Sequence, residues 1–317
     1  MPASEVHLVV DAWLAQHRPQ MKREFTAPEI HRQIVRAYQY GAGAPSPAGV
    51  SAFRRRRLEQ PDDSAQRKAE LCAHVDRLMA GFTLDELQQE SPGHTGGVSR
   101  FTWDGQRISQ PSTPEVFMDA LWKAAMPGAK DPWICFGNTA KDEATSRTWY
   151  ESKTVRLSQF WRHAAGVQFV VPNPMREQTG MTQEGKASVR TKENAIAPED
   201  RLLSVVEFDR VDCKDTQAGR LRWLGMQMPL VMAVDSGGKS IHGWFYVRHR
   251  LHDLPEFERL ALMLGADKQP LTVLCQFVRA PWGTRRSSPG AAGVYQRVKY
   301  FDPFTIREIV KKEGAGK

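Results

Sequence analysis

From the first residue to about position 90, apolar side chains recur every three or four positions, the period of helices with one buried face. His7–His17 carries such a stripe. Thr26 stands where it can cap a second helix, with Pro28 and Glu29 in the first turn ahead of IHRQIVRAY. A third helix is expected from about Asp63 to Met79, and Thr83-Leu-Asp-Glu-Leu opens a short fourth. The loop GAGAPSPAG separates the second helix from the third, and SPGHTGG at 91–97 is the expected linker. The pattern therefore predicts a helical N-terminal module over residues 1–100 and a second domain over 101–317.

Past the linker the period changes. Pro114–Ala125 reads as an amphipathic helix, and short β-rich runs then recur at Trp133–Phe136, Gln168–Val171, Leu203–Phe208, Leu230–Val234, Ile241–Val247, Leu271–Val278 and Val294–Tyr300. A helix is expected at Glu256–Leu264. This alternation predicts an α+β domain with a largely antiparallel or mixed sheet. Neither an internal repeat nor a low-complexity tract is visible.

Composition narrows the partners. The 317 residues hold 44 Lys and Arg against 36 Asp and Glu, a formal charge of +8 that suits a polyanionic partner. Cys72, Cys135, Cys213 and Cys275 are far apart and form no CxxC pair, so no zinc ribbon or disulfide framework is encoded and a reducing cytoplasm is expected. The N-terminal segment lacks a basic leader, and no apolar run reaches the roughly 18 residues that span a bilayer, so no membrane partner is expected.

Two segments carry candidate chemistry. In SVVEFDRVD, Glu207 and Asp209 are spaced i,i+2 at the end of a predicted strand. Alternate strand residues share a face, so the two carboxylates either gather a cation or face water while Phe208 faces the core. In DSGGKSIHGW, GGKS resembles the end of a phosphate-binding P-loop. That motif needs a glycine where Ala233 stands, however, and a helix where Ile241–Val247 reads as a strand. What remains is a glycine turn from which Lys239, Ser240 and His242 emerge, either to hold phosphate oxygens or as a plain hairpin with a buried histidine. Arg54–Arg57 offers phosphate grips or a solvated helix start. Trp282 beside Arg285 and Arg286 offers a base platform or a packed turn. The Arg248–His252 stretch, with His249 and His252, reads as a surface turn.

In order and approximate spacing, VVEFD, SGGKSIH, LGAD (ending at Asp267) and QFVRAPWGTRR resemble the motifs of the archaeo-eukaryotic primase superfamily. The nearest resemblance is to the primase-polymerase-like proteins of bacteria, phages and plasmids. It runs from about Trp133 to Pro303 and takes in FVVPNPM (169–175) and GKASVRTKEN (185–194). The resemblance implies an RRM-like sheet with a smaller α/β unit and an active site in the cleft between them. It implies that Glu207, Asp209 and Asp267 hold two Mg²⁺ or Mn²⁺ ions, and that Ser240 and His242, with Lys239 and Arg279 near, contact the phosphates of a nucleoside triphosphate. Lys186 and Arg190 would lie near nucleotide or template. The implied function is a DNA primase or primase-polymerase that carries out nucleotidyl transfer on a single-stranded DNA template by a two-metal mechanism. The alternative is a non-catalytic nucleic-acid-binding protein of the same fold. A rolling-circle endonuclease needs a second histidine around one hydrophobic residue, and His242-Gly-Trp244 supplies one. The KKEGAGK ending leaves room for a longer parent protein with a replicative helicase, which makes a helicase a candidate partner.

Overall fold

Two four-stranded antiparallel sheets, with helices packed on them, set the positions of the acidic residues. The computed structural model describes residues 64–92, 101–103, 106–108, 114–128, 130–141, 148–163, 166–286 and 293–315, all within a unit spanning Ser64–Lys317. The expectations for His7–His17, the Thr26 helix, Arg54–Arg57 and residues 93–97 fall outside the described residues.

In chain order the elements are helices α1 (Ser64–Leu78) and α2 (Leu84–Gln89), strands β1 (Phe101–Trp103) and β2 (Gln106–Ile108), and helix α3 (Pro114–Ala125). Strands β3 (Trp133–Lys141) and β4 (Thr148–Arg156), helix α4 (Leu157–Phe160), and strands β5 (Phe169–Val170), β6 (Gly180–Met181), β7 (Ala187–Ser188) and β8 (Leu203–Glu207) follow. Next come helix α5 (Lys214–Gly225), strands β9 (Leu230–Asp235) and β10 (Ile241–Tyr246), and helices α6 (Leu254–Met263) and α7 (Lys268–Thr272). Strands β11 (Val278–Arg279), β12 (Thr284–Arg285), β13 (Val294–Tyr295) and β14 (Arg297–Phe301) lead into helix α8 (Pro303–Ala315).

The first sheet runs β14-β9-β10-β8 and the second β11-β5-β3-β4; every strand pair among the described residues is antiparallel. Period-two alternation gives the first sheet two apolar faces. Leu203 and Val205 of β8, with Trp244 and Tyr246 of β10, share a core with Ile134 and Phe136 of β3, Val170 of β5 and the helices α3 and α8. Val206, Ala233, Ile241 and Phe245 turn the other way onto α1, α2, α5 and α6. Gly243 makes the second packing possible. A Cβ there would collide with the Leu221 side chain, so the missing side chain lets α5 seat closely on β10.

Helix α2 begins with the expected signal. Thr83 accepts from the Glu86 N–H while the Glu86 carboxylate accepts from the Thr83 N–H, a reciprocal capping box. The sequence pattern groups α1 and α2 with residues 1–100. Their apolar faces instead complete the core under the first sheet, and the unit begins at Ser64. The run Leu271–Val278 departs further from expectation. Its start is helical in α7, where Pro270 occupies the first turn and needs no hydrogen-bond partner, and only Val278–Arg279 is a strand.

One side chain meets the start of the free edge of β8. Asn173, from the FVVPNPM segment, accepts the N–H groups of Leu202 and Leu203 at 3.0 and 2.9 Å and donates to the Leu203 carbonyl at 2.9 Å. Arg201 locks the same strand to α6 and α7. Buried to 5% exposure, its guanidinium donates to Glu258 at 2.8 Å, to Ser204 Oγ at 2.9 Å and to the Leu271 carbonyl.

Candidate metal centre

The face of the first sheet that carries Leu203, Val205, Trp244 and Tyr246 ends in polar groups. Glu207 is the last residue of β8, and its direct cross-strand neighbour on β10 is His242. Cross-strand partners hold their Cβ atoms about 5 Å apart, so this register brings the imidazole to the carboxylate. His242 Nε2 lies 3.0 Å from Glu207 Oε1, off the line of a hydrogen bond, and neither ring nitrogen has a hydrogen-bond partner among the described residues. Ser240 Oγ donates to the same Oε1 at 3.1 Å. His242 and Ser240 are 2% and 4% exposed.

Two further carboxylates reach this point. Asp209 follows Glu207 by two residues, with Phe208 between them fully buried against the helices. Asp267 arrives from the far end of α6 and occupies the N-cap position of α7, yet its side chain makes no cap hydrogen bond. Its backbone N–H donates to the Glu207 carbonyl at 2.8 Å, which pins the two segments together. One ligand oxygen from each of Glu207, Asp209 and Asp267 lies within 4.8 Å of the others, and no other such group of metal-ligating side chains occurs among the described residues.

The electrostatics differ between neighbours. Burial would push the Glu207 carboxyl up, but the facing His242 imidazole, 3.0 Å away, and the Ser240 hydrogen bond outweigh it and hold the group at about 2. Asp209 is pushed above its ordinary range, first by burial and then by the Glu207 charge, with a smaller contribution from Asp267. The metal-free cluster therefore sets one carboxyl held low beside one pushed up by burial and its neighbour's charge. Three acids whose oxygens crowd within 4.8 Å, next to a buried imidazole without hydrogen bonds, fit a divalent cation, because the cation would offset their mutual repulsion.

The turn that delivers Ser240 and His242 is built locally. Gly237 adopts φ +69°, and its N–H donates to Asp235 Oδ1 at 3.1 Å. Gln217, buried on α5, accepts the Ile241 N–H at 2.7 Å and donates to the Lys239 carbonyl at 2.9 Å. The turn runs into strand β10, which is not the helix of a P-loop. It is a β-hairpin with a buried histidine, and that histidine faces an acid.

The other expected residues lie in different settings. Lys239 is exposed on the turn and Lys186 is exposed between β6 and β7. Arg190 donates to the Cys275 carbonyl at 2.9 Å and lies 4.3 Å over the Phe277 ring. Arg279 lies 4.5 Å over Phe169, on the face of the second sheet that carries Cys135 and Phe277. Trp282 adopts φ +55° and packs against the main core, with Tyr295 edge-on at 6.4 Å. The Arg248–Asp253 stretch is a 3₁₀ turn in which His249 stacks on Tyr246 and His252 is exposed. Gln217 and Arg201, which shape the site, escaped the sequence reading. Their one available signal was a polar residue at a position where periodicity wants an apolar one.

All four cysteines are free, and no described helix is long and apolar enough to cross a membrane. No protein-family model, no curated protein and no solved structure matches the chain. Function is therefore read from the site.

Proposed function

We propose that the protein is a metal-dependent nucleotidyltransferase, a DNA primase or primase-polymerase that copies single-stranded DNA from nucleoside triphosphates. The observation that carries this is the convergence of Glu207, Asp209 and Asp267 within 4.8 Å, beside Ser240 and His242. In this reading the first sheet and its helices form the RRM-like half of a primase fold, and the second sheet belongs to the smaller α/β unit. A cytoplasmic setting, expected from the unpaired thiols, belongs to the same reading.

In the reaction, a primer 3′-hydroxyl attacks the α-phosphorus in line and pyrophosphate departs. Two divalent cations, Mg²⁺ or Mn²⁺, held by the three acids would activate the attacking oxygen and neutralise the leaving group. Each residue then has a physical task. His242 and Ser240 keep Glu207 ionised and aimed. Asp209 would add a second carboxylate to the ligand set. Asp267, spared from capping α7, completes the ligand set. The unpartnered Nδ1 of His242 is a donor for a phosphate oxygen, and Lys239 and Arg279 add positive charge for the triphosphate. Lys186 and Arg190 would meet nucleotide or template.

Gel analysis of labelled products on single-stranded templates, with each nucleotide set and with Mg²⁺ or Mn²⁺, tests the proposal. Template-length products are expected from the wild type, and none from Glu207→Ala, Asp209→Ala or Asp267→Ala variants with unchanged circular dichroism. Full activity in any one variant removes that residue from the site. Strand binding without products would instead identify a non-catalytic nucleic-acid-binding protein.

A further inference from the structure

The glycine turn between β9 and β10 has a second neighbour. On the side of the first sheet that faces α5, a cavity of about 480 Å³ opens between the turn, the start of β14 and the start of α5. Lys214, Arg297 and Lys299 line it, and the exposed ring of Tyr295, at 61% exposure, stands at its wall. Arg285 adds a fourth cation: its guanidinium lies so close over Gly238 that any Cβ there would collide with it.

The charge in this groove is unbalanced. Asp235 is the one acid in its lining and is already taken by Lys214, at 2.7 and 2.8 Å. Arg285 and Arg297 have no acid partner among the described residues, and Lys299 donates only to the neutral Gln88 side chain, at 3.1 Å. Arg297 and Lys299 line one cavity and Arg285 lies over Gly238 in its wall, an excess of positive charge that an anionic ligand would offset. Arg297 and Lys299 both reach this cavity from β14, on either side of the buried Val298. A solvent-facing tyrosine beside such cations provides a ring on which any base can stack.

We propose that this groove grips the backbone of single-stranded nucleic acid, with Arg285, Arg297 and Lys299 on phosphates and Tyr295 under a base. It lies at the same end of the sheet as Glu207 and His242, because β8 and β9 end there and β10 and β14 begin there. A strand held here passes the glycine turn that delivers Ser240 and His242. The choice of a strand over free phosphate rests on the nucleotidyl-transfer reading; the excess of positive charge does not.

The test measures binding of a fluorescent oligothymidylate to the full chain by anisotropy, in EDTA and without nucleotide, so the metal centre plays no part. The Arg297→Glu/Lys299→Glu double variant should bind about tenfold or more weakly at roughly 50 mM salt. It should also lower the slope of log affinity against log salt by about 1.4, two contacts at about 0.7 each. Arg248→Glu, at the opposite end of β10, should stay within about twofold of wild type. With the wild type, a 4-thiothymidine oligonucleotide should crosslink to the peptide containing Tyr295, and nucleoside triphosphate should not displace it. The proposal is overturned if the double variant, folded by circular dichroism, binds like Arg248→Glu. Crosslinks confined to other peptides, or a Tyr295 crosslink displaced by triphosphate, would overturn it too. None of these results bears on primer extension, which tests the metal centre separately.

Discussion

Replacing Asp209 with Asn should make the metal-free protein more stable and the metal-loaded protein less so. The substitution keeps the side-chain shape and removes one of three like charges whose oxygens lie within 4.8 Å. At that separation one pair repels by about 1 kcal/mol in bulk water and by about 3.5 kcal/mol at the intermediate dielectric of a partly buried site. Asp267 is exposed and Asp209 half-buried, which places the relief at about 1–2 kcal/mol. For a unit of this size each kcal/mol moves the melting temperature by roughly 2–4 °C.

The pH dependence fixes the sign. Asp209 titrates above its ordinary value in the folded state, so the wild type loses stability as pH rises through the interval between the two values. The Asn variant has no such titration, and its advantage should open above that interval and close below it. Adding Mn²⁺ at about a hundred times its dissociation constant should stabilise the wild type by about 2.7 kcal/mol and reverse the order. Differential scanning fluorimetry across pH, with and without Mn²⁺, reads all of this. A variant that melts below wild type without metal, or that responds to Mn²⁺ as wild type does, would refute the reasoning.

Removing the Arg201 guanidinium in Arg201→Ala should cost about 3–5 kcal/mol in urea unfolding, because Glu258, Ser204 and the Leu271 carbonyl all lose a donor. Gly243→Val should cost about 1–3 kcal/mol by forcing Leu221 away from β10, seen as a lower urea midpoint. Glu207, held at about 2 against an ordinary 4.5, contributes stability that is present above its ordinary value and lost as pH falls towards 2. The urea midpoint of Glu207→Gln should therefore change less than that of wild type across that acidic interval.

How much of this the chain discloses depends on where each element finds its partners. Helix α3 was legible to its ends because its apolar stripe and its terminal proline are local. Helix α5 was not: Gln217 and Arg220 lie on its buried side and are satisfied by the 236–241 turn and by Asp76, so polar residues interrupt the periodicity. Strand β4, TWYESKTVR, pairs over nine residues with β3 at a sheet edge, and its mixed composition hides that pairing. At the site, the i,i+2 acids and the Ser-x-His pair were readable as strand alternation. That they face each other depends on the β8–β10 register, which the turn chemistry sets only in part. Asp267 carries no signal in the periodicity, and only the LGAD resemblance named it. Its place depends on the exit from α6 and on the bond from its N–H to the Glu207 carbonyl.

The most direct test is electron paramagnetic resonance of Mn²⁺ titrated into the wild type and into Glu207→Gln at neutral pH. The account predicts one or two bound ions per wild-type chain and loss of that binding in the folded variant. Equal Mn²⁺ binding by the two proteins would contradict it.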